Sequence, residues 1–173
     1  MTQFPSVEQH RKEAPQTVQC MVITVSDTRT PETDKSGLVM KSLLASAGYI
    51  VVRYEIVKDE LTLIRQLIHE GVNDQNVEAI LLNGGTGISP RDTTYEAVRD
   101  LLDKEMPGFG EIFRYLSFTE EIGSAAILSR AIAGVIGSTA IFSTPGSTGA
   151  VQLAMNKIII PELRHVMREI YKS

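Results

Sequence analysis

Residues 79–87 read AILLNGGTG, a short apolar run that passes directly into a glycine-rich segment. The apolar part, Ala79–Leu82, is typical of a strand buried on both faces, and the glycines after it predict a tight loop. A helix is expected beyond this loop, and alternation of strands with helices predicts a parallel sheet that has helices on both faces. This stretch therefore indicates an α/β fold.

The same alternation of strand and helix continues on both sides of this stretch. Apolar runs predict strands at Val18–Val25 and Tyr49–Val57, and a glycine is expected to end the helix that follows each strand, at Gly48 and Gly71. In the later part of the chain, a Thr93–Glu96 capping box predicts the start of a helix, and residues 106–110 predict a break followed by two short helical stretches. Strands are expected at Ala131–Ile136 and Thr139–Ser143. A helix capped by Ser147 and a final helix at Pro161–Tyr171 should follow.

Composition disfavours several classes of protein. The 173 residues are 43% apolar and 22% charged, which is a globular composition, and the net charge of −4 without a basic block disfavours nucleic-acid binding. The single cysteine, Cys20, excludes an internal disulfide and is expected to be buried. Because no signal-like or membrane-length apolar run is visible, we expect a cytoplasmic protein without membrane contact, whose polar residues 1–16 form a flexible arm before one domain at 17–173.

Three loops should meet at the carboxyl edge of the sheet, where ligands bind in such folds: residues 26–37, 84–92 and 144–149. The glycines of the second loop suit a nest of amides for a phosphate, although they could form only a tight turn. They match neither a GxxxxGK[S/T] loop nor GxGxxG. The third loop could bind an anion through its free amides, or it could simply cap a helix. The first loop could contribute hydroxyls and a guanidinium to the same site, or these side chains could simply be solvated.

Two carboxylates flank these loops. Asp92 could simply stabilise a helix start, but beside a phosphate loop a bare carboxylate would repel the ligand unless a cation lay between them. Mg²⁺ typically binds through one or two carboxylates together with phosphate oxygens. Asp59, at the end of the second strand, could supply the other carboxylate. The sequence thus predicts Asp59 and Asp92 as candidate Mg²⁺ ligands.

The loop motifs resemble those of the MoaB/MogA-like molybdenum cofactor biosynthesis proteins. Pro145–Thr148 is most similar to the MoaB branch, and Asn83 departs from the Thr that many members carry. The matching segments occur in the same order from residue 18 to the C-terminus: Thr24–Asp27, Asp34–Gly37, Gly84–Gly87 with Arg91 and Asp92, Glu105–Glu111, Leu128–Arg130 and Pro145–Thr148.

This resemblance implies a three-layer α/β/α fold of the molybdopterin-binding type, assembled as a homotrimer or homohexamer. It implies binding of molybdopterin and adenylylation of its terminal phosphate by Mg-ATP with release of pyrophosphate, with Asp59 and Asp92 as catalytic and metal-binding residues. A molybdate-insertion protein is the implied pathway partner. A non-catalytic molybdopterin carrier and a generic nucleotide-dependent phosphotransferase remain open. The predicted molybdopterin- and phosphate-binding residues are Ser26, Asp27, Arg29, Ser36, Gly84, Gly85, Thr86, Gly87, Gly146, Ser147 and Thr148.

Overall fold

The computed structural model describes residues 15–172, so nearly all of the predicted N-terminal arm at 1–16 lies outside the described residues. Six strands form one sheet in the order β2-β1-β3-β6-β5-β4. The strands are β1 (Gln19–Val25), β2 (Ile50–Val57), β3 (Ala79–Asn83), β4 (Lys104–Glu105), β5 (Ile132–Ile136) and β6 (Thr139–Thr144). The α-helices are α1 (Lys35–Ser46), α2 (Leu61–Asn73), α3 (Thr94–Arg99), α4 (Pro107–Leu116), α5 (Thr148–Ala154) and α6 (Ile160–Tyr171).

The sheet is parallel from β2 through β1 and β3 to β6, whereas β5 pairs antiparallel with both β6 and β4. Alternate residues of β1 enter two separate apolar clusters, because side chains of a strand point to opposite faces. Cys20 and Val22 pack with α1, α4, α5 and α6, and Met21 and Ile23 pack with α2 and α3. The α/β class with a mostly parallel sheet is therefore confirmed, and helices cover both faces.

The Cys20 prediction is also confirmed. The side chain is fully buried, and this burial raises the pKa of the thiol to about 12. Among residues 15–172, no helix combines the length and the apolarity needed to cross a bilayer.

Three local predictions are wrong. Gly71 does not end its helix, because α2 continues to Asn73. A Cβ at Gly71 would lie 2.7 Å from Cδ1 of Ile80 and 2.8 Å from Sδ of Met21, so this glycine lets the helix approach the sheet closely. The Thr93–Glu96 capping box does not form, since each side chain has a tertiary partner instead.

The third wrong prediction concerns residues 106–110. The preceding helix already ends at Arg99, and Pro107 begins α4 rather than interrupting a helix. Proline is favoured at the first position of a helix because its missing N–H has no partner there anyway. The chain continues from α4 through a π-helical turn at Ser117–Glu121 and a 3₁₀ turn at Gly123–Leu128. We call residues 107–128 the helical excursion.

The loops after β1, β3 and β6 pack directly on one another. The amide of Gly84 donates to the carbonyl of Thr144 at 3.0 Å. A Cβ at Gly84 would lie 2.2 Å from the carbonyl oxygen of Val25, and a Cβ at Gly146 would lie 2.9 Å from Cα of Gly84. Only glycine fits at both positions, and the three loops therefore form one continuous surface at the carboxyl edge of the sheet.

Candidate functional site

A cleft of about 490 Å³ opens at this edge. All three predicted loops contribute to its wall, and the helical excursion with the residue after it closes the opposite side. The lining residues are Val25, Ser26, Thr28, Arg29, Gly84, Gly85, Thr86, Gly87, Asp92, Ile122, Ala125, Leu128, Ser129, Pro145 and Gly146. We call this space the main cleft.

The glycine loop presents a run of unbonded amides. Gly84 and Gly85 have φ angles of +99° and +65°, in the region that favours glycine. The amides of residues 85–88 donate no hydrogen bond to any residue between 15 and 172. Successive amides in such a turn form a concave anion site, since each carries a partial positive charge. The loop therefore has the backbone geometry of an anion site.

The loop after β6 forms the predicted helix cap and also leaves backbone amides without a partner. Ser147 Oγ accepts a hydrogen bond from the amide of Ala150 at 3.2 Å, so this residue does cap α5. The amides of residues 146–148 donate to no described residue, which leaves them available to a ligand. Gly146 lines the main cleft, Ser147 lines an adjoining cavity of about 110 Å³, and Thr148 lines neither.

Residues of the first loop hold the loops together. Ser26 Oγ accepts hydrogen bonds from the amides of Thr28 and Arg29 at 3.2 and 3.1 Å. The Arg29 guanidinium donates to the carbonyl of Gly146 at 2.9 Å and also to Ser36 Oγ. Ser36 is buried away from the main cleft, and its hydroxyl donates to Oδ1 of Asn83 at 2.7 Å. Arg29 therefore reaches both the cleft and the third loop, whereas Ser36 lies below them.

Asp92 lies on the wall of the main cleft and also on the wall of a second cleft. Its Oδ2 accepts hydrogen bonds from the amide and the hydroxyl of Ser89, at 3.0 and 2.6 Å. Its Oδ1 accepts none from the described residues. The second cleft, also about 490 Å³, is lined by Leu61, Ile88, Ser89, Pro90, Asp92, Thr93, Glu96 and Arg130. Asp92 is thus the acidic side chain at the junction of two clefts.

Asp59 lies beneath the glycine loop and is only 7% exposed. Its Oδ1 accepts hydrogen bonds from the amide and the hydroxyl of Thr93, at 3.0 and 2.8 Å. Its Oδ2 would lie 2.4 Å from a Cβ at Gly85, so this oxygen faces the loop backbone. Burial raises the pKa of Asp59, and the charges of Asp92 and Asp27 raise it further, while the Thr93 hydrogen bonds oppose the shift.

Asp27 pairs with Arg91 through two hydrogen bonds of 2.8 Å each. These bonds lower the pKa of Asp27 to about 2, so its carboxylate is charged at neutral pH. Its Oδ1 also accepts a hydrogen bond from the amide of Asp59 at 3.1 Å. Asp27 is therefore near the predicted catalytic pair but does not line the main cleft.

The two carboxylates are of the ligand type that a hard divalent cation takes, but they are not equally accessible. Within residues 15–172 no group of three or more His, Cys, Asp or Glu side chains could hold a metal by itself. Mg²⁺ does not require such a group, because phosphate oxygens and water complete its shell. Asp92 Oδ1 accepts no hydrogen bond from the described residues and lies at the wall of both clefts, so it is open to a cation. Asp59 Oδ2 also accepts none, but it faces the backbone of the glycine loop and Asp59 lines neither cleft, so it would reach a cation only beside that loop.

Arg130 and Thr93 are two residues whose contacts at the site sequence reasoning missed, and Ile122 and Ala125 of the cleft wall were missed as well. Thr93 fixes the Asp59 carboxylate, and Arg130 donates to backbone carbonyls of the glycine loop. The sequence signals for Arg130 were the matching segment Leu128–Arg130 and its position as a charged residue just before a predicted strand, and neither gave its partners. Its partners lie 34 to 44 residues away in sequence, so spacing alone could not identify them.

Comparison with known proteins gives a consistent result. A family model described as a probable molybdopterin binding domain matches residues 21–165. Molybdenum cofactor biosynthesis protein B of Halalkalibacterium halodurans is 68% identical over 97% of this chain and 99% of the relative. A crystal structure of a protein of that same name is 55% identical, with a TM-score of 0.90 over 93% of this chain and 100% of the other. The tungsten cofactor synthesizing protein MoaB of Pyrococcus furiosus is 36% identical, with a TM-score of 0.82 over 92% and 100% of the two chains.

Proposed function

Because the chain belongs to the molybdenum cofactor biosynthesis protein family, we propose that it binds molybdopterin and adenylylates its terminal phosphate with Mg-ATP. The resemblance inferred from the loop motifs is thereby confirmed at the level of the family. The observation that carries the proposal is the position of Asp92, at the junction of two clefts and beside a loop of unbonded amides. Two clefts suit a reaction that joins two phosphate-bearing substrates.

The reaction is a transfer of AMP. An oxygen of the terminal molybdopterin phosphate attacks the α-phosphorus of ATP, and the bond from that phosphorus to the β-phosphate oxygen breaks. The electron pair of the broken bond leaves with pyrophosphate, so no covalent bond to the protein is needed. Because both substrates are anions, orientation and charge stabilisation are the main requirements.

The described residues meet these requirements in separate ways. The amides of residues 85–88 and 146–148 hold phosphate oxygens without a fixed positive charge. Asp92 and Asp59 would hold Mg²⁺, which when bound neutralises phosphate charge. Thr93 keeps the Asp59 carboxylate in one orientation. The product would pass to a molybdate-insertion protein.

Pyrophosphate release from ATP, measured with and without molybdopterin, tests the proposal. We expect release only when molybdopterin is present, and we expect Asp92→Asn to lower the rate by about 10²–10³ because a transition-state charge contact is lost. Molybdopterin affinity should change little in this variant, because amides hold that ligand. Asp100→Asn is the control, since Asp100 lies at the exposed end of α3 and lines neither cleft.

Two outcomes would contradict the proposal. An Asp92→Asn variant that adenylylates at the wild-type rate under limiting Mg²⁺ would remove Asp92 from the mechanism. A wild-type protein that binds molybdopterin but releases no pyrophosphate would be a carrier. The carrier alternative draws on the same unbonded amides, which suffice for binding without either carboxylate.

Self-association is the second part of the proposal. The helical excursion exposes a group of large apolar side chains, among which Ile127 is 84% and Tyr115 66% exposed. A patch of this kind typically marks an interface, and the resemblance implies a trimer or a pair of trimers. The exposed members are Ile112, Tyr115, Phe118, Ile122, Ile127 and Leu128.

Sedimentation equilibrium tests this assembly. The wild-type mass should be several times the 19.0 kDa of one chain. Ile127→Glu should lower the mass by placing a charge in the interface, whereas Leu38→Glu, at a 61% exposed position on α1, should not. A monomeric wild-type protein at micromolar concentration would refute self-association.

A further inference from the structure

Arg130 contacts the glycine loop from outside the main cleft. It lies between the 3₁₀ turn Gly123–Leu128 and β5. Its guanidinium donates to the carbonyls of Thr86 and Asp92 at 3.3 Å each, and also to the carbonyl of Gly87. The Arg130 side chain therefore contacts both ends of the segment 86–92, at the carbonyls of Thr86 and Gly87 and at the carbonyl of Asp92.

These three bonds fix the direction of the amides that follow. In a trans peptide the carbonyl and the next N–H point in opposite directions. The peptide between Asp92 and Thr93 shows this, because its carbonyl accepts from Arg130 while its N–H donates to Asp59 Oδ1 at 3.0 Å. By the same geometry the N–H groups of Gly87 and Ile88 point away from Arg130, and both are among the unbonded amides.

The charge of Arg130 is largely neutralised within the protein. The guanidinium pairs with the carboxylate of Glu96 and lies over the ring of Tyr95 at 5.0 Å from its centroid. Arg130 therefore contributes through geometry more than through its electric field at a ligand. A planar guanidinium carries five N–H donors in a fixed arrangement, whereas a lysine ammonium is a single point that cannot reproduce three spread contacts.

We propose that Arg130 is a positioning residue that orients three peptide groups of the site, so that two amides face the ligand and the third supports Asp59. The inference rests on the proposed function only in taking the ligand to be the phosphate-bearing molybdopterin. Arg130 also lines the second cleft, but the positioning role requires only its contacts with the three carbonyls.

Two variants and one control separate geometry from charge. Arg130→Ala removes the contacts, and Arg130→Lys keeps the charge but cannot hold three carbonyls. Arg99→Lys is the control, because Arg99 lies over the same Tyr95 ring at 5.8 Å and pairs with Asp100 without contacting the loop. Thermal melting verifies that each variant is folded before it is compared.

The first measurement is amide hydrogen exchange of Thr93 in the ligand-free protein, which does not depend on catalysis. We expect exchange to become faster by about tenfold or more in both Arg130 variants and to stay unchanged in Arg99→Lys. The second measurement is molybdopterin binding, where we expect affinity to fall by about tenfold in both Arg130 variants.

The two measurements also distinguish failure of this inference from failure of the proposed function. If Arg130→Lys restores both wild-type exchange and wild-type affinity, charge rather than geometry is responsible, and the inference is overturned. Unchanged Thr93 exchange in a folded Arg130→Ala protein would overturn it as well. If the wild-type protein binds molybdopterin but releases no pyrophosphate, the proposed adenylylation is wrong. Faster Thr93 exchange and weaker molybdopterin binding in the Arg130 variants would still support Arg130 as a positioning residue.

Discussion

Gly85→Ala should destabilise the protein more than a glycine substitution that has the same backbone conformation but no neighbours. The φ angles are +65° at Gly85 and +56° at Gly137, in the turn between β5 and β6. A residue with a Cβ pays about 1–2 kcal/mol for this left-handed conformation. The two sites differ in their surroundings: a Cβ at Gly137 would meet nothing within 4 Å, whereas one at Gly85 would lie 2.1 Å from Thr94 Oγ1 and 2.4 Å from Asp59 Oδ2.

The overlap at Gly85 adds a second cost. Thr94 is fully buried and Asp59 is held by Thr93, so relief requires movement of packed groups, at about 1–3 kcal/mol. We therefore expect a loss of about 1–2 kcal/mol for Gly137→Ala and about 2–5 kcal/mol for Gly85→Ala.

Urea unfolding at equal protein concentration measures this difference, because association would otherwise shift the apparent stability. Molybdopterin affinity, measured on the folded variants, should fall for Gly85→Ala and stay unchanged for Gly137→Ala. Equal free energies of unfolding for the two variants would refute the steric cost assigned to Gly85. Unchanged molybdopterin affinity in folded Gly85→Ala would show that the glycine loop is only a turn and not a binding site.

Three further outcomes follow from single ionisable groups. The Arg91 pair lowers the pKa of Asp27 from 3.8 to about 2, so its stabilising effect is present above pH 3.8 and is lost as the pH falls through about 2. An NMR titration should show that midpoint move towards 3.8 in Arg91→Gln. Burial raises the pKa of Asp59, which means that the ionised carboxylate destabilises the fold at neutral pH. Asp59→Asn should therefore have a higher melting temperature than the wild type and should lose adenylylation. A lower melting temperature would contradict this reasoning. Burial also raises the pKa of Cys20 to about 12, so a thiol reagent should modify it only after unfolding, and rapid reaction with the native protein would be inconsistent with that burial.

Strands and loops were the most predictable features of this sequence, because they depend on local pattern. The apolar run Ala79–Leu82 predicted a buried strand, and the structure extends it by one residue to Asn83. The glycines that follow this strand predicted a tight loop, because a residue with a side chain does not fit where two backbone segments lie close together. β4 escaped prediction because its two residues, Lys104 and Glu105, are both exposed and too few to show a period.

Tertiary partners account for the predictions that failed. Thr93 and Glu96 have the spacing of a capping box, but the Thr93 hydroxyl donates to Asp59 and Glu96 pairs with Arg130. Gly71 resembles a helix end in sequence, yet the sheet beneath it is what requires a glycine. In each case the local signal was real but ambiguous, and a partner distant in sequence decided the outcome. The candidate site is similar: the sequence predicts Asp59 and Asp92 as candidate residues, but it does not predict the contacts that Thr93 and Arg130 make around them.

The arginines near the site bear on how an acidic protein would bind the phosphate-bearing substrates proposed for it. Arg91 is paired with Asp27, Arg130 with Glu96 and loop carbonyls, and Arg29 with Asp34, so each guanidinium has a carboxylate partner. Arg29 and Arg130 also hold backbone carbonyls of the loops, whereas the contacts of Arg91 are with carboxylates. Under the proposed function, attraction for phosphate would come mainly from the unbonded amides and from a cation held by Asp59 and Asp92. Binding at the proposed site would depend on geometry, because an anion would be stabilised only where its oxygens reach the amides. The net charge of −4 disfavours anions elsewhere on the surface.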